Sequence, residues 1–532
     1  MVLNSLAIDN TYWELFEFKE SDLEFIYNHL LDLETPQTPQ ELCISLIEHR
    51  IKEEKINLEK IQKQSGSVYL PQNSHEIGQK IVFPALGWQK GEVIGKRPGQ
   101  NPDLPSFEVI DLQLDNIGKK SFASQLKDHI LNTPVVTKID NPYLDHENVY
   151  ATFGNIITQK LTENLELYSD LVQIAGRWFP RALLVDVNIG YLNLTEALLE
   201  MENGGPLSTH SILEQIELPS EANTKLAEFS LNLALQEDKR FDEVGPSGEI
   251  LWFLNRLEPD GVQHTPMQLR FHQDAYDRSK IVDAMKMLET EVTDELEPDE
   301  LSQKLTDEVT ISIIYPHLRA GTLPLSSQIK HLFPTAFEAP RVRFTFVDGD
   351  NQNKFSGWVV RPSRYIYGLS DWYNSQNLIP GSLIKIRRSK NPGEVIIRTE
   401  KKRSAKNWIR TAIIGVDGGI VLSMQNKPIS VAVNDRMAIY ILDQKALDGL
   451  WEQSRKTKIP IEQTVLAIMR ELSKLNPQGH VHIQELYATM NIIRRFPPGA
   501  LLSILFDRPW SKHLGDLYFR LDEGLVEGGY RE

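Results

Sequence analysis

Cysteine is almost absent from this chain of 532 residues, with Cys43 the only one. A single thiol makes neither an internal disulfide nor a thiolate zinc site, which excludes a stapled mini-fold and agrees with a reducing compartment. Also missing is any run near the roughly 18 consecutive apolar residues of a membrane helix. The N-terminal MVLNSLAIDNTYWELFEFKE carries aromatics and acids where a signal peptide has a basic and then an apolar stretch. A cytoplasmic protein without a membrane partner is expected. No G-x-x-x-x-G-K-[ST], G-x-G-x-x-G or G-x-S-x-G occurs, so nucleotide hydrolysis and serine hydrolase chemistry have no footing, and no cofactor is expected. Cations are in deficit: 57 Lys and Arg face 73 Asp and Glu, a net charge of -16. Such a chain repels phosphate backbones unless its positive charge is concentrated locally.

What is present is an ordinary folded composition, 41% hydrophobic and 24% charged, over a length that calls for several domains. The patterning predicts a multidomain α+β protein. Several winged-helix (helix-turn-helix) modules alternate with a small SH3-like barrel and a larger all-β barrel or pseudobarrel. Residues 1–70 read as an N-terminal helical, winged-helix-like unit. Ser21 stands before a helical run of Leu23, Phe25, Ile26, Leu30 and Leu33, and ETPQTPQEL stops it and starts a second helix, Glu41 to about Gln62. From about Gly78 the period changes to two, with Gly87, Gly91, Gly95 and Pro98-Gly99 as turns, which predicts a small SH3-like barrel over 71–130. Residues 131–190 read as a helical connector.

Over 191–265 the grammar is three helices and a hairpin: YLNLTEALLEMENGG, then a short helix capped by Ser208, then a third capped by Ser220, and finally RFDEVGPSGEILWFLNRLEP folding back around Pro-Ser-Gly. GGPLSTHSIL, FSLNLALQEDKRF and the Gly-Glu-x-x-Trp-Phe-Leu hairpin closing on Leu-Glu-Pro resemble the HARE-HTH winged-helix family, which includes the globular domain of the delta subunit of bacterial RNA polymerase. The resemblance covers about 191–259. It implies a winged helix and a role in binding nucleic acid or the transcription machinery. Trp252 and Phe253 face opposite ways on a wing strand, so at least one is expected to be buried against Phe229 or Leu233. The third helix offers Lys225 against Glu221, Glu228, Glu237 and Asp238, a poor reader of a DNA groove.

Residues 266–335 read as a helical linker whose acidic middle, LETEVTDELEPDELSQ, is expected to be solvated. Residues 336–445 alternate as at least six short strands, a basic β-barrel. Between Arg341 and Ile413 fifteen Lys and Arg meet five Asp and Glu, a balance of +10, with Trp358, Tyr365, Tyr367, Trp372, Tyr373 and Trp408 interleaved. Cations grip phosphates and aromatic faces stack on bases, so this stretch is the expected nucleic-acid interface. Its candidate residues are Lys385, Arg387, Arg388, Lys390, Arg398, Lys401, Lys402, Arg403, Lys406, Arg410, Trp372 and Trp408. Residues 446–532 repeat the helix, helix, helix, hairpin order and read as a C-terminal winged helix flanked by Arg494, Arg495, Arg508 and Lys512.

A non-catalytic DNA-binding or transcription-associated protein is therefore expected, its partner being nucleic acid, DNA in the first place, or RNA polymerase. The alternative is an acidic adaptor that binds RNA polymerase or another protein without touching nucleic acid. A third reading is a metal-dependent nuclease, from the acid-then-E-x-K pattern of Asp371, Glu400 and Lys402. The pair His480 and His482 lacks a cysteine partner and is expected on the surface.

Overall fold

The computed structural model describes the chain apart from residues 1–7, 9, 65–66, 84–85, 87–88, 115–117, 133–141, 217, 219–222, 247, 272–275, 278, 280, 282–291, 297–305, 335–338, 416–418, 457–458 and 527–532. It is a mixed α+β protein with several sheets, one of them a curled half-barrel. Two compact units comprise residues 1–185 with 220–229, and 186–219 with 230–532.

In the first unit, α1 (Glu20–Leu33) starts where the Lys19 N–H donates to Asp22 Oδ2 at 2.7 Å, so Ser21 falls within its first turn. Helix α2 (Pro39–Gln64) opens on a reciprocal cap: the Thr38 N–H donates to Glu41 Oε2 at 2.7 Å and the Glu41 N–H to Thr38 Oγ1 at 3.2 Å. Next come β1 (Ser67–Val68), β2 (Lys80–Phe83), β3 (Gln89–Pro98), β4 (Glu108–Leu114) and β5 (Gly118–Ser124), joined in chain order into a five-stranded sheet. The stretch expected as a helical connector holds more than helix. Helix α3 (His146–Leu165) buries Val149, Phe153, Ile157, Leu161 and Leu165, spaced by four as one helical face requires, and packs on α2. A hairpin of β6 (Leu171–Ile174) and β7 (Arg177–Pro180) follows, and Trp178 of β7 bridges back to Gln37, just ahead of α2.

The second unit opens with α4 (Ile189–Met201), β8 (Leu207–Ser208), α5 (Thr209–Ile216) and the part of α6 (Thr224–Glu237) from Ser230 onward. The expected cap Ser220 lies outside the described residues, and Asn223 Oδ1 caps α6 by accepting the Leu226 N–H at 2.9 Å. Strands β9 (Phe241–Glu243) and β10 (Leu251–Leu254) close a three-stranded sheet in the order β8-β10-β9. Trp252 and Phe253 do point to opposite faces, and both are buried. Trp252 sits among Leu231, Leu235 and Phe241, with Leu231 and Leu235 on either side of the expected Leu233. Its indole N–H donates to Asn232 Oδ1 at 2.9 Å. Phe253 turns to the half-barrel and meets Trp358 edge to face at 5.1 Å.

The half-barrel is a seven-stranded sheet built from β11 (Glu308–Ser312), β12 (Thr322–Pro324), β13 (Arg341–Asp348), β14 (Lys354–Val360), β15 (Tyr365–Tyr367), β16 (Leu383–Arg388) and β17 (Glu394–Thr399). The spatial order is β11-β16-β17-β13-β14-β15-β12, with β13 and β17 parallel and the other neighbours antiparallel. Strands β11 and β12, which flank the short helix α7 (Tyr315–Ala320), come from the region expected to be a helical linker. Val342, Phe344, Phe346, Ile384, Ile386, Val395 and Ile397 alternate inward to form its core, and α8 (Ser370–Gln376) inserts Trp372 and Tyr373 into it.

The expected single barrel over 336–445 is divided. A separate three-stranded sheet, in the order β19-β18-β20, holds β18 (Lys401–Ile414), β19 (Ile420–Val431) and β20 (Ile439–Ile441). After α9 (Gln444–Lys456) come α10 (Ile461–Ser473), β21 (His480–His482), α11 (Ile483–Ile493), α12 (Pro498–Asp507), β22 (Ser511–Gly515) and β23 (Tyr518–Leu521), the strands ordered β21-β23-β22. Helix, strand, helix, helix, hairpin thus recurs in 189–254 and 461–521. The same order describes α1, the Gln37 bridge, α2, α3 and β6–β7, with the five-stranded sheet set between its second and third helices.

Most of the acidic stretch 288–303 lies outside the described residues, but its middle is the reverse of solvated. Asp294 and Glu295 are 1% and 2% exposed. Arg495, expected to flank the helices of a C-terminal winged helix, is buried with them: its guanidinium pairs with Asp294 and approaches Glu295 Oε2 at 2.9 Å. His317 of α7 joins Glu295 at 2.7 Å and Thr322 at 2.9 Å, and the Tyr487 hydroxyl of α11 donates to Asp294. Burial alone raises the Glu295 carboxyl, yet Arg495 and His317 hold it well below the usual carboxylate range.

Candidate nucleic-acid interface

The candidate residues fall into three groups, sorted by strand parity and by what lies behind each strand. The first group is buried. Trp372 is 6% exposed in the half-barrel core, its indole N–H donating to Asp348 Oδ2 at 3.0 Å, because α8 closes the curl of the sheet with its two aromatics. Trp358, Tyr365 and Tyr373 are buried too, so these rings are core and offer no stacking face. Arg410 is 9% exposed, its guanidinium 2.6 Å from Glu485 and donating to the Asp435 carbonyl at 2.8 Å. Both Trp372 and Arg410 therefore leave the candidate interface. Each was included because composition cannot distinguish a side chain facing water from one facing the next layer.

The second group is exposed in part and already paired. Lys385 forms an ion pair with Glu400, whose carboxyl is lowered by that hydrogen bond and by the surrounding cations. Lys401 pairs with Asp350 at 2.9 Å.

The third group is exposed, and no ion pair links it to any described residue. It comprises Arg387 and Arg388 at the end of β16, Lys390 in the following turn, Arg398 on β17, and Lys402, Arg403, Lys406 and Trp408 on β18. Their placement follows from the register. Ile384 and Ile386 face the core, which turns Lys385 and Arg387 outward, and Arg398 stands directly across from Lys385. Strand β17 runs into β18 at Thr399–Lys401, carrying the cations from the half-barrel onto the second sheet. Glu308 stands opposite Arg387 in the β11–β16 register without an ion pair between them.

Along β18 a bulge between Lys401 and Ala405 resets the alternation. Beyond it Ala405, Asn407 and Ile409 share one face, and Lys406, Trp408 and Arg410 the other. Trp408 is 70% exposed, opposite Asn426 of β19. On the other face Lys427 stands across from Asn407, its Nζ 5.2 Å from the centre of the Tyr440 ring. Asn426 and Lys427 escaped the sequence reading because they lie past the basic window; only strand pairing brings them beside it.

The nuclease pattern spans a helix and a strand. Asp371 is exposed on α8, Glu400 is committed to Lys385, and Lys402 follows on β18; among the described residues no three His, Cys, Asp or Glu groups gather as a metal site. Nor are the two histidines a surface pair: His482 is 5% exposed and caps α11, its Nδ1 accepting the Gln484 N–H at 3.2 Å. Burial and the nearby Arg436 and Arg410 push its imidazole down to about 4. Around the C-terminal helices Arg494 donates to the Ile459 carbonyl at 3.2 Å and Arg508 lies 3.1 Å from Glu462, while Lys512 is exposed.

Comparison of the chain with known protein families, with curated proteins and with solved structures finds no match in any of the three.

Proposed function

We propose that this chain is a non-catalytic nucleic-acid-binding protein, acting in a transcription-linked role, that grips phosphates along β16, β17 and the start of β18. One observation carries the reading: Arg387, Arg388, Lys390, Arg398, Lys402, Arg403 and Lys406 are all exposed and outside ion pairs with described residues, in a chain of net charge -16. Like charges brought together on neighbouring strands repel one another and add nothing to the fold. An anionic partner relieves that repulsion. The repeated helix and hairpin units, read as winged helices and over about 191–259 as one of HARE-HTH type, together with an SH3-like barrel at β1–β5, supply the scaffold.

The adaptor reading has one specific observation in its favour. The third helices, which enter the groove in DNA-binding winged helices, are largely covered: Ala500, Leu501, Leu502 and Leu505 of α12 are buried in the C-terminal core, and Leu231, Asn232 and Leu235 of α6 are buried around Trp252. Salt titration separates the two readings. Labelled oligonucleotides bound by the purified chain should dissociate steeply between about 50 and 200 mM salt, with a log-log slope near -0.9 per neutralised phosphate on duplex DNA. Absence of binding to either duplex or single strand at the low-salt end would leave the adaptor.

A further inference from the structure

We infer that the β18 surface takes a single strand of nucleic acid, with Trp408 as its stacking platform. This inference rests on the nucleic-acid reading above and narrows it to one ligand class.

The argument begins with the indole itself. Large aromatic side chains gain most when buried, and every other aromatic of the basic stretch with a comparable ring system, Trp358 and Trp372, is in a core. Trp408 is 70% exposed in the middle of a regular strand, so the fold does not use it. Its surroundings are those of a base-stacking site: Lys406 lies on its own face two residues back, Asn426 directly across, and Lys402 and Arg403 upstream on the same strand. Cations beside an exposed ring hold the backbone while the ring takes the base.

Geometry then favours one strand over two. Strand β18 has β19 along one side, and β20 pairs on the other only at Arg410–Ala412. From Lys402 to Trp408 its second edge therefore carries no strand among the described residues. Both ends of this open stretch are anchored: Ile409, Ile429 and Val431 pack beneath it, and Ala412, Ile420 and Leu422 join the core of α10 to α12. Among the described residues the ribbon is therefore a track held at both ends. At roughly 3.3 Å per residue the track is on the order of 20 Å long. Away from its ends a duplex has both faces of every base already stacked, so Trp408 would have to wedge a base step open and bend the helix. A single strand presents its base faces directly.

The test uses the full chain with an oligothymidine of about 12 nucleotides and a mixed-sequence duplex of the same length, a span that covers one small single-strand site. The single strand should bind more tightly than the duplex. Trp408→Ala should weaken single-strand binding roughly 5- to 150-fold, the worth of one stacked base, leaving duplex affinity and thermal midpoint unchanged. Trp408→Phe should restore most of the loss, and titration with the oligothymidine should quench less tryptophan emission in either variant than in the parent. Equal single-strand affinity for the parent and Trp408→Ala, or a preference for duplex, overturns the stacking inference. If salt-dependent binding persists in that case and is lost in Arg387→Glu/Arg388→Glu, the phosphate-gripping surface stands without it. Failure of both oligonucleotides to bind overturns both.

Discussion

Arg495 and Arg387 have the same chemistry, and in the sequence both stand among cations, Arg387 in the candidate nucleic-acid interface and Arg495 beside the helices of the C-terminal unit. Arg495 ends fully buried against Asp294 and Glu295, while Arg387 ends exposed at the end of β16. The first is neutralised by carboxylates from a stretch that looked like a solvated acidic linker. The second has an acid, Glu308, across the sheet and makes no ion pair with it. The difference is one of desolvation. A guanidinium withdrawn from water requires a partner for each of its donors, so the interior gathers Asn491, Asp294, Glu295 and the Phe496 carbonyl around Arg495. At a wet strand end no such demand exists, and the charge stays available to a ligand.

That contrast can be broken from either side. The largest effect is expected in the interior: Arg495→Met takes the cation away from two buried carboxylates and should cost about 3–5 kcal/mol in chemical denaturation, whereas Arg387→Met should leave the transition within about 0.5 kcal/mol of the parent. A comparable loss, about 3–5 kcal/mol, is expected for Trp252→Ala, which empties the pocket between Leu231 and Leu235 and removes the indole donor from Asn232. A loss below 1 kcal/mol would mean that the hairpin does not depend on its indole. Charge reversal of Arg387 and Arg388 should act on binding alone, lowering the magnitude of the salt slope by roughly 1.8 if both contact phosphates of a duplex. The last effect concerns pH. The folded imidazole of His482 titrates near 4, below its usual 6.5, so the folded form excludes a proton that the unfolded chain binds. Its contribution is complete above pH 6.5 and is lost as pH falls toward 4. His482→Asn, which keeps a side-chain cap, should flatten the fall of thermal midpoint between those values; an unchanged pH profile would place the titrating group elsewhere.

Local structure was legible where one face of an element is apolar. The spacing of Val149, Phe153, Ile157, Leu161 and Leu165 marks α3 as a helix, and the alternation in Leu383–Arg388 and Glu394–Thr399 marks β16 and β17 as strands with their charges outward. Of the candidate interface, the exposed cations and Trp408 stay on the surface, and Trp372 and Arg410 do not. Nothing local separates Trp408 from Trp372, since both are tryptophans in basic, aromatic surroundings. What separates them is that α8 folds into the curl of the half-barrel, whereas no described residue buries the Trp408 side of β18.

The sequence by itself determined the mixed α+β fold class, through helices and strands whose hydrophobic periods announce them. It also determined that positive charge would collect between Arg341 and Ile413 of an otherwise acidic chain. Only the tertiary structure decided which of those charges are free. A charge is buried or exposed according to the layer that lands on it and the counter-charge that comes with that layer, and for Arg495 the counter-charge at Asp294 lies 201 residues away along the chain. Periodicity reports which face of an element is apolar. It holds no information about which distant carboxylate will meet a given arginine, because that pairing is set by how whole elements pack.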